Sequence, residues 1–304
     1  MKKVLSLLMM ILCFQVAKAQ TITARVIDAL NNKPLSYAIV LYHNQQRVIY
    51  TDVNGYFTVA TDSLLQNDVI TIQFIGYKKL MLGVNDLKNN AVFAMVAEEA
   101  NLQPVIVSNC RKTEDFLLNK KTGRIKQYIG PGPETKLVII ARYNNNSGRT
   151  GWLKKVSILI DEKSPNLQIP IRLRWYEWDL DKKMPGKELT DTNIIVFPYK
   201  EGWNDFEIPE RSIQCPKDWL VFGLEFIYPP EYKEQFETIK TDSAKISWLS
   251  DMQNRWSLAM QYVRDENETG FYIINNDIVN RYSKKYDRFF VRPALKFSIV
   301  ICAE

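Results

Sequence analysis

Histidine is the scarcest of the chemically useful residues in this 304-residue chain, which contains only His43. A Ser-His-Asp triad or a metal site built from several histidines therefore lacks its usual residues. The sequence also contains no P-loop and no GxGxxG, GxSxG or HExxH pattern. We expect no cofactor, and we interpret His43 as a polar residue of a turn.

Cysteine is almost as scarce. Cys13 lies in the N-terminal leader described below, which leaves Cys110, Cys215 and Cys302 at separations that match no CxxC or zinc pattern. We therefore expect no metal site. Three cysteines allow one disulfide at most, and the Cys215–Cys302 pair is the one considered; buried reduced thiols are the favoured alternative.

A strong excess of positive charge is also missing. The formal net charge is +6, but three of the lysines lie in the predicted leader, and its removal leaves 37 basic residues against 34 acidic ones. No dense lysine and arginine stripe is present that would contact phosphates. The composition therefore argues against nucleic acid as a partner.

Residues 1–19 have the three parts of a secretory signal peptide. Lys2 and Lys3 precede an apolar stretch over residues 4–14, and Ala17 and Ala19 are small residues at a cleavage site before Gln20. No later run reaches the roughly 18 apolar residues of a membrane-spanning helix. We expect an exported bacterial protein, located in the periplasm or associated with the outer membrane. Acylation at Cys13 is the less favoured alternative, because the bulky Leu12 precedes it.

The rest of the chain predicts β structure. Hydrophobic residues make up 46% and aromatic residues 12% of the sequence, a composition that is globular and leans toward strands. Over residues 20–108, about seven short alternating runs are separated by turn residues, which predicts a small β-sandwich. We predict a linker over residues 109–133, with a short helix at 113–119, and a second domain over residues 134–304.

Three separated phrases of the first domain carry a family resemblance. They are VID, KPL and AIV between residues 26 and 40, TDVNGYF at 51–57, and IQFIGYK at 72–78. Together they resemble the carboxypeptidase-like regulatory domain, a transthyretin-like β-sandwich found at the start of exported Bacteroidetes proteins. The resemblance implies a scaffold that accompanies enzymes and transporters and has no chemistry of its own.

The second domain contains about nine runs typical of strands, which predicts a larger β-sandwich of the jelly-roll type. Breaks at Pro185-Gly186, Gly202 and Pro229-Pro230 mark expected turns between its strands. The phrases RLRWYEW at 172–178 and WLVFGLEF at 219–226 look like a region of exported Bacteroidetes proteins of this architecture. The strand order also resembles carbohydrate-binding jelly rolls, but the resemblance implies no activity.

Two acids stand out near the end of a predicted strand of the second domain. Glu177 and Asp179 share a strand face at about 6–7 Å, a separation compatible with the carboxylate pair of a glycosidase. A solvated strand end is the favoured interpretation. Glu225 lies within an apolar strand, and a carboxylate buried there needs a partner. We expect a structural ion pair with Arg172 or Arg174.

The tryptophans suggest a binding surface. Trp178 and Trp203 are the candidates for stacking on a ligand, with Glu177 and Asp179 beside Trp178. Because strand residues alternate between faces, Trp175 and Trp178 cannot both face one side. We expect one of them in the core and the other at the rim.

Three hypotheses about function follow. The leading one is an exported, non-enzymatic envelope protein whose second domain binds a glycan or a protein partner. The second is a glycan-active hydrolase that uses paired carboxylates of the second domain. The third is an accessory component of an outer-membrane uptake system, because residues 102–108 lie where transporters with such a first domain place their energy-coupling segment.

Overall fold

The computed structural model describes residues 21–42, 47–98, 113–118, 125–129, 136–160, 170–228, 230, 258–263, 272–275, 278–281, 290–293 and 295–302. His43 and residues 99–112 lie outside these ranges, as does the predicted leader. The described part is almost entirely β, with one short helix, α1 (Val84–Asn89), and one 3-10 turn at Thr61–Ser63. The prediction of an all-β chain with a small first sandwich and a larger second one is confirmed.

The first domain is built from two sheets. Its strands β1 to β7 span Thr21–Asp28, Ile39–Tyr42, Arg47–Tyr50, Tyr56–Ala60, Val69–Gln73, Leu80–Gly83 and Val92–Met95. The first sheet has the order β4-β1-β7, and the second has the order β3-β2-β5-β6. Alternate residues of both sheets, together with Val84 and Leu87 of α1, fill the core between them. Strand β6 and helix α1 were not predicted from the sequence.

The turn of the TDVNGYF phrase shows why these residues occur together. The Asp52 carboxylate accepts hydrogen bonds from the amides of Asn54 and Tyr56, both at 2.8 Å. Gly55 has a φ of +80°, and a Cβ there would lie 2.5 Å from the Val26 carbonyl oxygen. Only glycine combines this backbone with this close approach. The chain then enters β4 with Phe57 turned into the core.

The second domain is a sandwich of two larger sheets. Its strands β8 to β22 span Thr113–Leu118, Ile125–Ile129, Leu137–Asn144, Gly151–Ile160, Ile171–Asp179, Met184–Glu188, Ile194–Val196, Gly202–Glu207, Gln214–Cys215, Trp219–Phe226, Leu258–Val263, Tyr272–Asn275, Ile278–Arg281, Phe290–Pro293 and Leu295–Cys302. We call the seven-stranded sheet, β13-β12-β17-β10-β19-β20 with β14 on β12, the front sheet. The eight-stranded sheet, β21-β18-β11-β22-β8 with β15 and β16 on β11 and β9 on β18, is the back sheet.

The inner faces of the front and back sheets share one core. Phe297 of the back sheet shows how they interlock, since its ring lies 4.8 Å from the ring of Tyr143 and 5.2 Å from the ring of Phe222, both in the front sheet. All three side chains are fully buried. Edge-to-face contacts of this kind add to the free energy gained from burial.

Three local predictions for the second domain are wrong. Residues 113–118 form strand β8 instead of a helix, because Phe116 and Leu118 face the core while Asp115 and Leu117 face solvent, a period of two. The predicted linker thus contributes β8 and also β9 to the back sheet. The turn predicted at Pro185-Gly186 is also wrong, because both residues lie inside strand β13. β13 is an edge strand, where the amide hydrogen that proline lacks is not needed for pairing.

The considered Cys215–Cys302 disulfide is not formed. Cys215 is a free, buried thiol whose Sγ lies 3.8 Å from the Pro216 carbonyl oxygen. Burial raises the pKa of Cys215 to about 12. This agrees with the alternative prediction of a buried, reduced cysteine.

Candidate functional site

Alternation along β12, β17 and β10 sends one polar set of residues to the outer face of the front sheet. In β12 these are Arg172, Arg174, Tyr176 and Trp178, while Leu173 and Trp175 between them face the core and Glu177, near the strand end, is exposed. Antiparallel register places Arg172 opposite Glu225. The outer face therefore carries charged groups at one end and aromatic groups at the other.

The charged end is a cluster centred on Glu225, whose side chain is fully buried. Arg172 Nη1 donates to its two carboxylate oxygens at 3.1 and 3.2 Å, and Arg174 Nε donates at 2.6 Å. Arg174 also reaches the half-buried Glu188 at 2.8 Å. The predicted ion pair of Glu225 is thus confirmed, with both arginines as partners.

These contacts determine the ionisation of the cluster. Burial alone would raise the pKa of Glu225, but the positive charges of Arg172 and Arg174 outweigh it and lower the pKa to about 2. Burial would likewise lower the pKa of Arg174, but the charge of Glu225 raises it. Glu225 is therefore a permanent anion at neutral pH, unlike a catalytic acid, which needs a raised pKa.

The first domain covers this charged end. Tyr50 of β3 donates its hydroxyl to Glu225 at 3.0 Å, and the Tyr37 carbonyl accepts a hydrogen bond from Arg172 Nη2. Burial and the neighbouring charge of Glu225 raise the pKa of Tyr50. Around these polar contacts lies an apolar interface made of Tyr37, Ile39, Leu41, Val48 and Tyr50 from the first domain and Ile195, Ile227 and Tyr228 from the second.

The aromatic end of the front sheet contains the first predicted binding residue, Trp178. The guanidinium carbon of Arg142 lies 4.4 Å from the ring centroid of Trp178 and 3.9 Å from that of Trp219. Both indoles are partly exposed, whereas Arg142 is buried. Trp175 lies in the core, so the predicted separation of Trp175 and Trp178 is confirmed. Each indole already uses one face for the cation.

Glu177 and Asp179 lie at the C-terminal end of β12. Glu177 is exposed. Asp179 accepts a hydrogen bond from the Lys182 amide at 2.8 Å, and this bond lowers the pKa of Asp179. Its carboxylate also lies 3.4 Å from the Lys182 ammonium. Asp179 therefore stabilises the turn between β12 and β13.

Trp203, the second predicted binding residue, lies on the other side of the second domain. It belongs to β15 of the back sheet and carries the ammonium of Lys296 at 4.0 Å from its ring centroid. Trp178 and Trp203 are thus on the outer faces of two different sheets. They cannot form one stacking platform.

Trp203 instead ends an exposed aromatic loop, residues 197–203. Phe197 is 46% and Tyr199 is 59% exposed, while Pro198 between them is buried. The fully buried Asn204 holds this loop: its Oδ1 accepts hydrogen bonds from the amides of Tyr199 and Lys200 at 2.9 and 3.1 Å. Its Nδ2 donates to the carbonyls of Lys200 and Gly202.

The loop is therefore a set of large, exposed rings on a fixed backbone. Aromatic side chains bury much area on binding and lose little conformational entropy, so they dominate the energy of many interfaces. Sequence reasoning found Trp203 but missed Phe197 and Tyr199. A signal was present in Asn204, a polar residue at an inward-facing position of β15, where an unpaired amide would be costly.

Within the described ranges no group of three or more histidine, cysteine, aspartate or glutamate residues is arranged to hold a metal ion. No helix among the described residues is long and apolar enough to cross a membrane. What the described residues do form is a two-domain β protein with a buried interdomain charge cluster and an exposed aromatic loop.

Comparison with known proteins confirms the family resemblance of the first domain. Residues 22–107 match the family model of the CarboxypepD_reg-like domain, a regulatory, non-catalytic domain. No curated protein matches the chain.

Two solved structures resemble it distantly. One contains the cysteine protease and lectin-like domains of a surface layer associated protein of Clostridium difficile, with 9% identity and a TM-score of 0.32; the alignment covers 88% of this chain and 59% of that one. The other is a clostridial cysteine protease after propeptide cleavage, with 9% identity and a TM-score of 0.33, covering 92% and 70%. Likeness at this level says nothing about activity.

Proposed function

We propose that this chain is an exported, non-enzymatic binding protein of the bacterial cell envelope, and that its second domain binds a glycan or a protein partner through the aromatic loop. The single observation that carries this proposal is the exposure of Phe197 and Tyr199 in a loop whose backbone at Tyr199 and Lys200 is hydrogen-bonded to the buried Asn204. Exposed aromatic side chains on a fixed backbone are the usual centres of binding energy. The signal-peptide pattern of residues 1–19 supports export to the periplasm or the outer membrane.

The ionisation of the acids supports a binding role over hydrolysis. The pKa values of Asp179 and Glu225 are lowered, whereas a glycosidase needs one carboxyl group with a raised pKa. Glu225 is also fully buried under the first domain, out of reach of a substrate. The regulatory type of the first domain is in line with this view.

The test is a glycan array together with crosslinking in the cell envelope, using the protein without residues 1–19. Tyr199→Ala and Trp203→Ala should each weaken binding at least tenfold while the fold is retained. Tyr56→Ala is the matched control, because Tyr56 is a 43% exposed ring on the first domain and lies outside the loop. Trp178→Ala tests separately whether the outer face of the front sheet contributes to binding.

Two results would count against the proposal. Turnover of glycans or peptides by the purified protein would refute the non-enzymatic role. Undiminished binding in both loop variants would refute the loop as the binding surface. A third result would identify a protein partner. If the native protein crosslinks to an outer-membrane transporter and the Tyr199→Ala variant does not, the result supports an accessory role in uptake.

A further inference from the structure

Strand β14 connects the interdomain interface to the aromatic loop. Its residues alternate, so Ile194 and Val196 enter the core of the second domain, while Asn193, Ile195 and Phe197 lie on the side that receives the first domain. The loop therefore begins where the two domains meet.

Arg172 links the same elements through polar contacts. Its Nε donates to Asn193 Oδ1 at 2.8 Å, its Nη1 binds Glu225, and its Nη2 donates to the Tyr37 carbonyl at 2.5 Å. One buried guanidinium thus joins the first domain, the centre of the front sheet and the start of β14. Because it is planar and has donors in fixed directions, it sets their relative positions.

Tyr37 makes a second contact between the first domain and the loop. Its ring lies 6.4 Å from the ring of Phe197, and its side chain is almost fully buried. Tyr37 has a φ of +62°, a left-handed conformation that is costly for a residue with a side chain. Tyr37 in this conformation also packs in the apolar interface with Ile195 and Ile227 of the second domain.

We infer that the first domain is a positioning element for the aromatic loop: Tyr37 and Tyr50 hold β14 and Phe197 in place through direct packing and through Arg172. Displacement of the first domain releases residues 193–200, so its docking regulates the binding surface of the second domain. The consequence for binding rests on the proposed function, whereas the effect on loop order does not.

Amide hydrogen exchange on the whole chain without the leader tests this inference. Tyr37→Gly removes the ring, and glycine accepts the φ of +62° without strain. We expect residues 193–200 to exchange at least tenfold faster, while β10 and β17 keep their protection. Tyr56→Ala, on the outer face of the other sheet of the first domain, should leave residues 193–200 unchanged.

Unchanged exchange at residues 193–200 in Tyr37→Gly would overturn the inference. If this variant instead loosens the entire chain, Tyr50→Phe decides, since it removes only the hydroxyl that binds Glu225. Severalfold faster exchange at residues 193–200 in Tyr50→Phe supports the inference, and unchanged exchange refutes it. Exchange is measured without any ligand, so failure to find a glycan or protein partner would weaken only the proposed function. Where a partner is found, Tyr37→Gly should weaken binding as Tyr199→Ala does.

Discussion

The replacement Glu225→Gln tests the buried charge cluster most directly. It keeps the shape of the side chain but removes the negative charge that faces Arg172 and Arg174 at 2.6–3.2 Å. The glutamine amide can accept at one oxygen only, so it leaves two buried guanidinium groups poorly compensated. Breaking a buried ion pair by removing one partner costs about 3–5 kcal/mol.

The pKa of Glu225 reflects the same contacts with Arg172 and Arg174. It lies at about 2, below the ordinary value of 4.5. At about 1.4 kcal/mol per pKa unit, the folded state favours the charged form by about 3 kcal/mol. Because the pKa is lowered on folding, this stabilisation is fully present above about pH 4.5 and is lost as the pH falls toward about 2.

The assay is urea unfolding followed by tryptophan fluorescence at pH 7 and at pH 3. At pH 7, Glu225→Gln should lower the free energy of unfolding by about 3–5 kcal/mol, and the difference from the native chain should shrink at pH 3. Glu188→Gln is the matched control, since Glu188 also binds Arg174 but is one-third exposed; its loss should cost about 1 kcal/mol or less. Two results would refute this account of the cluster. One is an equal loss of unfolding free energy in Glu225→Gln and Glu188→Gln. The other is a difference between Glu225→Gln and the native chain that is as large at pH 3 as at pH 7.

Three further predictions concern single residues. Gly55→Ala should destabilise the first domain by about 2 kcal/mol or more, because the Cβ of the alanine would lie 2.5 Å from the Val26 carbonyl oxygen. Thermal unfolding measures this loss. Gly148→Ala is the control and should destabilise the chain clearly less, because Gly148 also has a positive φ but faces open space. Cys215 should react with iodoacetamide only slowly at pH 8 in the folded chain and rapidly in urea, because burial raises its pKa to about 12; fast labelling of the folded chain would contradict this. Asn204→Ala should remove four hydrogen bonds to the aromatic loop and cost about 2–4 kcal/mol, with faster amide exchange at Tyr199 and Lys200 as the local signature.

Local sequence signals predicted most strands and the family of the first domain. The TDVNGYF phrase succeeds because its turn depends on contacts within a few residues, such as those of Asp52 with Asn54 and Tyr56. Strand β8 was missed for the opposite reason. Its six residues pair with β22, which is far away in the sequence; Leu118, for example, lies opposite Phe297. Tertiary pairing of this kind overrides weak local preference.

The surroundings of the candidate binding residues could not be predicted from the sequence, because exposure is a tertiary property. The sequence indicated Trp178 and Trp203 as candidates for stacking on a ligand. It could not show that Arg142 already lies over the ring of Trp178 and Lys296 over the ring of Trp203. Phe197 and Tyr199 follow the predicted strand at residues 193–196 and were not singled out from the sequence. Both rings are exposed in the structure, and the amide of Tyr199 is hydrogen-bonded to the buried Asn204.

The charge cluster fixes the arrangement of the two domains more than it adds to their stability. Ionic groups lose their hydration when buried, and apolar replacements of similar size are often as stable. The apolar contacts of the interface, to which Ile39 and Ile227 belong, would tolerate several relative positions of the domains. The hydrogen bonds from Tyr50 to Glu225 and from Arg172 to the Tyr37 carbonyl tolerate only one. A triple replacement, Arg172→Met with Arg174→Met and Glu225→Leu, should therefore preserve the unfolding free energy better than Glu225→Gln alone. It should nevertheless speed amide exchange at residues 193–200, because the polar link through Arg172 would be lost and only apolar packing, such as that of Tyr37 on Phe197, would hold the first domain against β14.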